Sequence, residues 1–509
     1  MSGDAAEDLA APRAPDDAAR SEILAAAGPI YHIDLEFPAA QMPHWKALGE
    51  VTGARRRAKR VAVIWHDTPD NELAKHQLAL SEQAGIWRLV ALRPGKHGWP
   101  PASLPPVIAE AADQADLGLG LGLALTFAPA PVASFVGVQR NVEIAGEAGN
   151  VAAAWISGNL RAVVDEIAVA RIELAGPREA LRAMASQLAE QGASVPLAST
   201  AAQAIALAEH AVPAARHKGA AEVPGDTNVA DGLAFAIGQL VDAALYWAAR
   251  ISTATDPEPV HQMRVAVRRL RSLLSAPRKP AVGPLWLATK SRLGALAREL
   301  GEAREWDVFL HGVGAEMAQL WPQDRRIGLL LARARKRRDA GYATLRDDLA
   351  SARMRRIAVE LALFAKLRPF EAEGDPEFWA MDCREFAVEA LTRLRRKLFA
   401  SGDDLTPLAP LELHELRKKA KRLRYGGELF ASFWNRKAAR KYLERISELQ
   451  EALGQVNDAA SLEQLLAGLG ARGFAAGVAV GIAAAHAKPA LKQAQAVWRK
   501  LVASDEYWK

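Results

Sequence analysis

Two stretches of this chain carry side chains spaced for chemistry, and both are cationic. In HQMRVAVRRLRSLL (261–274), His261, Arg264, Arg268 and Arg271 fall within about 80° of arc if the stretch is helical. Met263, Val267, Leu270 and Leu274 fall on the opposite side, so one face suits a core and the other presents a histidine followed by guanidiniums. HELRKKAKRLRYGG (414–427) repeats this with His414, Arg417, Lys421 and Arg424, with Lys418 adjoining, backed by Leu416, Ala420 and Leu423. A basic helix face is ordinarily solvated and laced with Glu at i±4. Here the first stretch has no carboxylate, and the second has only Glu415, off the cationic face. Cations so arranged repel one another until an anion arrives. The chemistry on offer is therefore electrostatic capture, with arginine forks gripping phosphate or sulfate oxygens bidentately and lysine acting as a point charge. Neither face carries groups for reading base edges, and Tyr425 is the nearest aromatic. That favours a repeating anionic polymer over nucleic acid. Each histidine stays open to two readings: a structural or capping group, or a ligand whose pKa rises beside a polyanion.

The two stretches are 153 residues apart, and the same offset relates Leu300-Gly301 in ELGEAREWD to Leu453-Gly454 in ALGQVND. Two matches at one offset indicate an internal duplication. The offset also aligns Arg292 with Arg445, which join the candidate set. Related bundles packed face to face would turn the two cationic rows toward a shared axis and concentrate positive potential there. The run RARKRR (333–338) winds around its helix and reads as solvated surface.

The elements that must position these rows are legible in outline. Residues 1–250 carry 20 Lys+Arg against 28 Asp+Glu, whereas residues 251–509 carry 45 against 31, so only the second half predicts an anionic partner. One cysteine, Cys383, excludes an intrachain disulfide framework and a cysteine-based metal cluster. The acidic N-terminus does not suit a secretory signal, and no stretch reads as a membrane span, so the expectation is a soluble cytoplasmic protein. Residues 1–27 read as a disordered leader and residues 211–228 as a linker. Between them, strand patterns at 31–37, 60–65, 78–80, 86–92 and 161–172 and a helical period at 177–191 predict an α+β domain over 28–210. From 229 to 509 helical spacing dominates, with breaks delimiting eight to ten helices.

At this point the chain resembles two families. The motifs at 261–274, 297–310, 414–425 and 449–458 make residues 229–509 similar to a CHAD domain, the conserved histidine α-helical domain. The resemblance implies two pseudo-symmetric helical bundles around a basic pore that binds inorganic polyphosphate, in proteins associated with polyphosphate granules. Carried over by position, the implied ligands are His261, Arg264, Arg268, Arg271, His414, Arg417, Lys418, Lys421 and Arg424, with Arg292 and Arg445 added by the offset. No catalytic residue, metal or cofactor is implied, nor a membrane; nucleic acid is disfavoured and a homodimer is compatible.

WHDTPDNELAKHQLAL (65–80) followed by GIWRLVALRPG (85–95) makes the N-terminal half resemble a degenerate CYTH-type triphosphate tunnel, a β-barrel. That family opens with Glu-x-Glu-x-Lys; here Asp34 keeps one carboxylate and Glu36 occupies the lysine position. The alternating arginines read Ser81-Glu82-Gln83, Arg93 stands for a strand-ending lysine, and a Ser-Lys pair reads Ser199-Thr200. Glu173 remains, and Arg88 and Arg93 are candidate interior partners of Asp34. A tunnel short of arginines neutralises a triphosphate poorly, and so few carboxylates hold catalytic metal poorly. The expectation is a non-enzymatic polyphosphate binder. The alternatives are a metal-dependent triphosphate or polyphosphate hydrolase using the N-terminal domain, and a nucleic-acid-associated basic helical protein.

Overall fold

The structure, a computed structural model, describes residues 30–52, 57–92, 107–114, 117, 128–211, 221–252 and 256–509. The leader at 1–27, Arg93 and residues 212–220 of the linker lie outside the described residues. The N-terminal part is built on β1 (Tyr31–Glu36), β2 (Val51–Thr52), β3 (Lys59–Asp67), β4 (Leu78–Gln83), β5 (Ile86–Ala91), β6 (Val107–Ala111), β7 (Ala130–Ile144), β8 (Val151–Ala162) and β9 (Asp165–Gly176). All pairings are antiparallel, in the order β1-β9-β8-β7-β3-β4-β5-β6, with β2 added on β7. β1 and β6 end this path without pairing with each other, so among the described residues the sheet is open and does not close into the expected barrel. The stretch 161–172 is not one strand: it turns at Val163 and Val164 between β8 and β9.

Alternation gives the sheet two faces. Ile33, Leu35, Ile172 and Leu174 pack with α1 (Arg178–Glu190) on one of them. The opposite face holds Trp65, Phe135, Leu160 and Val169 against α2 (Thr200–Ala208), which Ser199 caps by accepting from the Ala202 N–H at 3.1 Å. Asp34, Glu36, Arg171 and Glu173 share that second face by strand parity, Asp34 opposite Glu173 and Glu36 opposite Arg171. Where the resemblance implied a phosphate-filled tunnel, the face carries aromatic and aliphatic side chains under a helix. Asp67, in the motif that suggested the tunnel family, accepts from the backbone N–H groups of Thr68, Leu73 and Ala74 at 2.7–3.0 Å and fixes the short helical turn at Glu72–Lys75. Arg88 is not a partner of Asp34: it reaches across the hairpin to Glu110, 2.6 Å away, and to Gln83. The cations that face Asp34 are Arg171 and Lys366.

Lys366 comes from the helical half. This half comprises α3 (Val229–Ile251), α4 (Glu258–Leu273), α5 (Pro284–His311), α6 (Val313–Leu320), α7 (Arg325–Ala350), α8 (Ala352–Leu367), α9 (Cys383–Phe399), α10 (Pro410–Phe430), α11 (Arg436–Gly468) and α12 (Phe474–Val502). Short helical turns at Phe370–Glu373 and Pro376–Ala380 join α8 to α9. Val359, Ala362, Leu363 and Leu367 of α8 enter the same apolar cluster as α1, so the helical half completes the sheet's helix layer. The duplication is plain in the helix order: shifted by 153, α3, α4 and α5 fall on α9, α10 and α11, and α7 falls largely on α12. The two repeats do not form separate cores. One cluster runs from Ala221 to Trp508 through α3, α4, α5, α7, α8, α9, α10, α11 and α12. Met263, Val267, Leu270 and Leu274, with Leu416, Ala420 and Leu423, are all at most 2% exposed within it. By length and composition Val229–Ile251 and Phe474–Val502 are long and apolar enough to cross a membrane; α3 is mostly buried in the bundle, and α12 buries one face, including Ala479, Ala494 and Trp498.

The carboxylates on the second sheet face have a measurable consequence. Burial, then the neighbouring Asp34, pushes Glu173 up to about 7, with Arg171 opposing. A folded pKa above the unfolded value means stability that is complete below about 4.5 and is lost as pH rises through about 7. Glu173→Gln therefore leaves the melting temperature unchanged at pH 4 and raises it at pH 8. The gain is about 2–4 °C for each kcal/mol of relieved strain, read by thermal denaturation at both pH values.

Candidate anion-binding cavity

Helix α4 begins after Asp256-Pro257, with Asp256 accepting from the Glu258 N–H at 2.9 Å and Pro259 in its first turn; α10 begins at Pro410, with Glu412 accepting from the Ala409 N–H at 2.7 Å. Each then buries its apolar stripe and turns its basic row inward. Between them and α5, α7 and α11 lies a cavity of about 1440 Å³. Seven of the candidate residues line it: His261, Arg264, Arg268, His414, Arg417, Lys421 and Arg424. The other four do not. Arg271 lies one turn beyond the lining, over Gly294. Lys418 is exposed and paired with Glu415. Arg292 pairs with Glu360 on α8, and Arg445 with Ser504, because both sit on the outer faces of α5 and α11.

The duplication extends into the geometry of the site. A Cβ at Gly301 would stand 2.7 Å from the Arg264 guanidinium, and one at Gly454 would stand 3.0 Å from that of Arg417. Each repeat thus uses its Leu-Gly pair as a notch for its own arginine. Glu305 and Asp458, again 153 apart, are the acids facing Arg264 and Arg417. His414 Nδ1 is hydrogen-bonded to Asn457 Oδ1, and the counterpart of Asn457 is Arg304, which faces His261. Arg304 is held on its own helix by the fully buried Asp307, 3.7 Å away, which also accepts from the Tyr342 hydroxyl at 2.6 Å and so ties α7 to α5. The neutral side chain at Asn457 and the cation at Arg304 break the symmetry: burial, then Arg304, lowers the His261 pKa.

At the centre the rows repel. Burial, followed by Arg417, Arg268 and Arg264, depresses Lys421 to about 7. Arg264 and Arg417 are lowered by burial and by other arginines, with Glu305 and Asp458 opposing. Arg268, Arg269 and Arg424 surround the Tyr425 ring at 5.5, 5.6 and 5.8 Å from its centroid. The lining is not uniformly basic. Toward α6 and α12 it becomes apolar, with Trp306, Phe309, Val313, Leu462 and Leu465, and ends at the Glu316–His486 pair. Arg304, Arg337 and Asn457 were not among the expected site residues, although Arg304 and Asn457 stand within the duplicated motifs and the offset pairs them. Arg337 belongs to the run expected to be solvated surface, yet it reaches the cavity wall.

Comparison with known proteins meets this geometry at one place. The profile of the CHAD domain matches residues 235–467. The helical half contains a CHAD domain. A crystal structure of the CHAD domain from the plant Ricinus communis is 25% identical, covering 57% of this chain and 98% of its own, with a TM-score of 0.47. PptA from Streptomyces chartreusis is 19% identical, covering 54% of this chain and 100% of its own, with a TM-score of 0.39. No curated protein matches the chain. The CHAD match spans α4, α5, α10 and all but the end of α11, and so both notched arginines.

The notches offer a separable test. Alanine at a helical glycine removes backbone freedom from the unfolded chain, and here it meets only the movable end of an arginine. Gly301→Ala and Gly454→Ala in the CHAD domain should leave the melting temperature equal or higher while displacing Arg264 and Arg417. Anion affinity, measured by calorimetric titration, should fall by about tenfold for each, the loss of roughly one charge-assisted contact.

Proposed function

We propose that this protein captures inorganic polyphosphate in the cavity of its CHAD domain and does not hydrolyse it. The observation that carries the reading is the convergence of Arg264 and Arg268 from α4 with Arg417 and Lys421 from α10, close enough to depress Lys421 to about 7. Cations held together at this cost are suited to a ligand that neutralises several of them at once, and a phosphate polymer presents a charge on every unit. Capture replaces the polymer's counterions with fixed guanidiniums, so affinity falls steeply with salt. Calorimetric titration of the full chain with polyphosphate at two salt concentrations, without metal, tests it. Tight, salt-sensitive binding is expected; no heat at low salt would refute it.

The N-terminal sheet enters the proposal as a partner that scaffolds the bundle through α8. Its second face bears Asp34, Glu36 and Glu173 against Arg171, which is engaged with the Ala198 carbonyl at 2.6 Å, a charge balance that repels triphosphate. Among the described residues no group of three or more His, Cys, Asp or Glu is placed to hold a metal ion. Incubation with tripolyphosphate and magnesium or manganese should release no phosphate above the uncatalysed rate. In cells the expected location is cytoplasmic, at polyphosphate granules, with binding rather than turnover holding it there.

A further inference from the structure

The duplication makes the two ends of the cavity's cationic rows comparable, and they are not alike. At the end nearer the second repeat, Arg269 and Arg424 are joined by one carboxylate. Glu428 accepts from Arg424 Nε at 2.6 Å and from Arg269 Nη2 at 2.8 Å, with all three side chains largely buried. Arg424 is further held by Ser447 and Gln450 at 3.1 and 3.3 Å. Arg269, Arg424 and Ser447 also line a second cavity of about 450 Å³, so the Glu428 clamp sits on the partition between the two. In that second cavity the other arginines face acids of their own, Arg436 with Glu222 at 3.9 Å and Arg440 with Glu444 at 3.6 Å. An anionic chain arriving there meets arginines that each already have a carboxylate within 4 Å.

The position equivalent to Glu428 is Ser275, whose hydroxyl donates to the Arg271 carbonyl and leaves the guanidinium alone. The equivalents of Arg424 and Arg269 are Arg271 and Arg422. Arg271 lies 3.6 Å from the Cβ position of Gly294, and Arg298 Nε lies 3.5 Å from the Gly294 carbonyl, which brings the two arginines over one turn of α5. Arg422 and Arg298 face Arg271, and Arg422, Lys279 and Arg271 face Lys290; after burial, these cations lower the pKa values of Arg271 and Lys290. Glu415, the acid facing Arg422, is taken by Lys418. Among the described residues none of Arg271, Lys290, Arg298 and Arg422 forms an ion pair. Arg271 is one helical turn from Arg268, so this cluster continues the cavity's row of cations onto the surface.

We infer that the phosphate path has one open end, over Arg271, Lys290, Arg298 and Arg422, and one closed end, stopped by Glu428. A polymer too long for the cavity leaves over the cluster, and the clamp prevents it from threading through the partition. The inference rests on the polyphosphate reading above and names which part of the chain meets which residues.

The test titrates the full chain with tripolyphosphate and with long-chain polyphosphate at several salt concentrations. Lys290→Glu with Arg298→Glu lies outside the cavity and is expected to weaken the long chain by about a hundredfold. It should lower the slope of log affinity against log salt by about two, and leave tripolyphosphate within about twofold. Glu428→Gln is expected to strengthen the long chain by about tenfold and to steepen the slope by one to two, because the charge that neutralises the two arginines is removed. Melting curves establish that each variant is folded; should Glu428→Gln be unfolded, the surface double variant decides the inference. Wild-type binding of both ligands with neither variant altered overturns the inference and leaves the function standing. Equal losses for both ligands in the double variant also overturn it, since the cluster would then act through its field and not by contact. Absence of wild-type binding to either ligand overturns the function, and the inference with it.

Discussion

Replacing Arg264 and Arg268 by glutamate should abolish polyphosphate binding and, in the same molecule, raise the stability of the unliganded protein. The two effects have one origin. Arg264, Arg268, Arg417 and Lys421 share a cavity in which the three arginines disfavour the charge of Lys421 and Arg268 disfavours those of Arg264 and Arg417. Two glutamates turn that repulsion into attraction for Arg417 and Lys421, while the core side of α4 at Met263, Val267 and Leu270 is untouched. Binding loses two phosphate contacts and gains two repulsive charges in a confined site, a loss of about three orders of magnitude in affinity at low salt. A rise of a few degrees in melting temperature without ligand is expected, since about 1 kcal/mol moves a domain of this size by 2–4 °C. Circular dichroism and titration on the same preparation check both. If these arginines are instead structural partners of Glu305 and its neighbours, the variant melts earlier, and the cavity is part of the scaffold.

That variant is designable because the period of 261–274 already separates the core side from the cationic side, and the same holds at 414–427. The 153-residue offset likewise predicts the repeated order of the long helices. What it leaves out is depth along the axis. Arg271 belongs to the same helical face as Arg268, yet one further turn carries it past the cavity and over Gly294. Arg292 and Arg445 obey the offset perfectly and still point outward, since a duplication preserves the side a residue faces, whether that side is inside or out. Glu428 was invisible for a different reason: an acid four residues after Arg424 reads as an ordinary pair within one helix. Only the approach of α4 shows that it also holds Arg269.

In the N-terminal half, the strand patterns at 31–37, 60–65, 78–80 and 86–92 correspond to β1, β3, β4 and β5. Closure was not legible, because alternation specifies two faces for a strand and says nothing about whether the first and last strands meet. Arg88 illustrates the limit: its strand position suits an interior partner for Asp34, but its neighbour across the sheet is Glu110 on β6, and Lys366 arrives at Asp34 from a helix more than three hundred residues away in sequence. Contacts that join domains carry no local period.

The second large effect is a pH dependence of binding that one lysine creates. In the free protein Lys421 is held at about 7 by burial and by Arg417, Arg268 and Arg264. An anion seated among these groups favours its charged form and returns its pKa toward that of an ordinary lysine, so above pH 7 binding takes up a proton. Affinity is then flat below about pH 7 and falls as pH rises, by up to tenfold per unit, until the pH reaches the pKa of the bound state. Stability of the unliganded protein moves oppositely. A lysine whose folded pKa lies below its unfolded value penalises the folded state most below about pH 7, and the penalty is relieved between there and the unfolded pKa. Titrations at pH 6.5 and 8.5 in buffers of differing ionisation enthalpy measure both the affinity ratio and the proton count; a ratio of roughly ten to thirty and an uptake approaching one proton at pH 8.5 are expected. Lys421→Met should bind more weakly at pH 6.5 and lose most of the slope between the two pH values, whereas Lys418→Met, removing a surface lysine of the same helix, should keep it. A slope that survives Lys421→Met would assign the proton to another group and would mean that the arginine rows do not meet at Lys421 when the anion is bound.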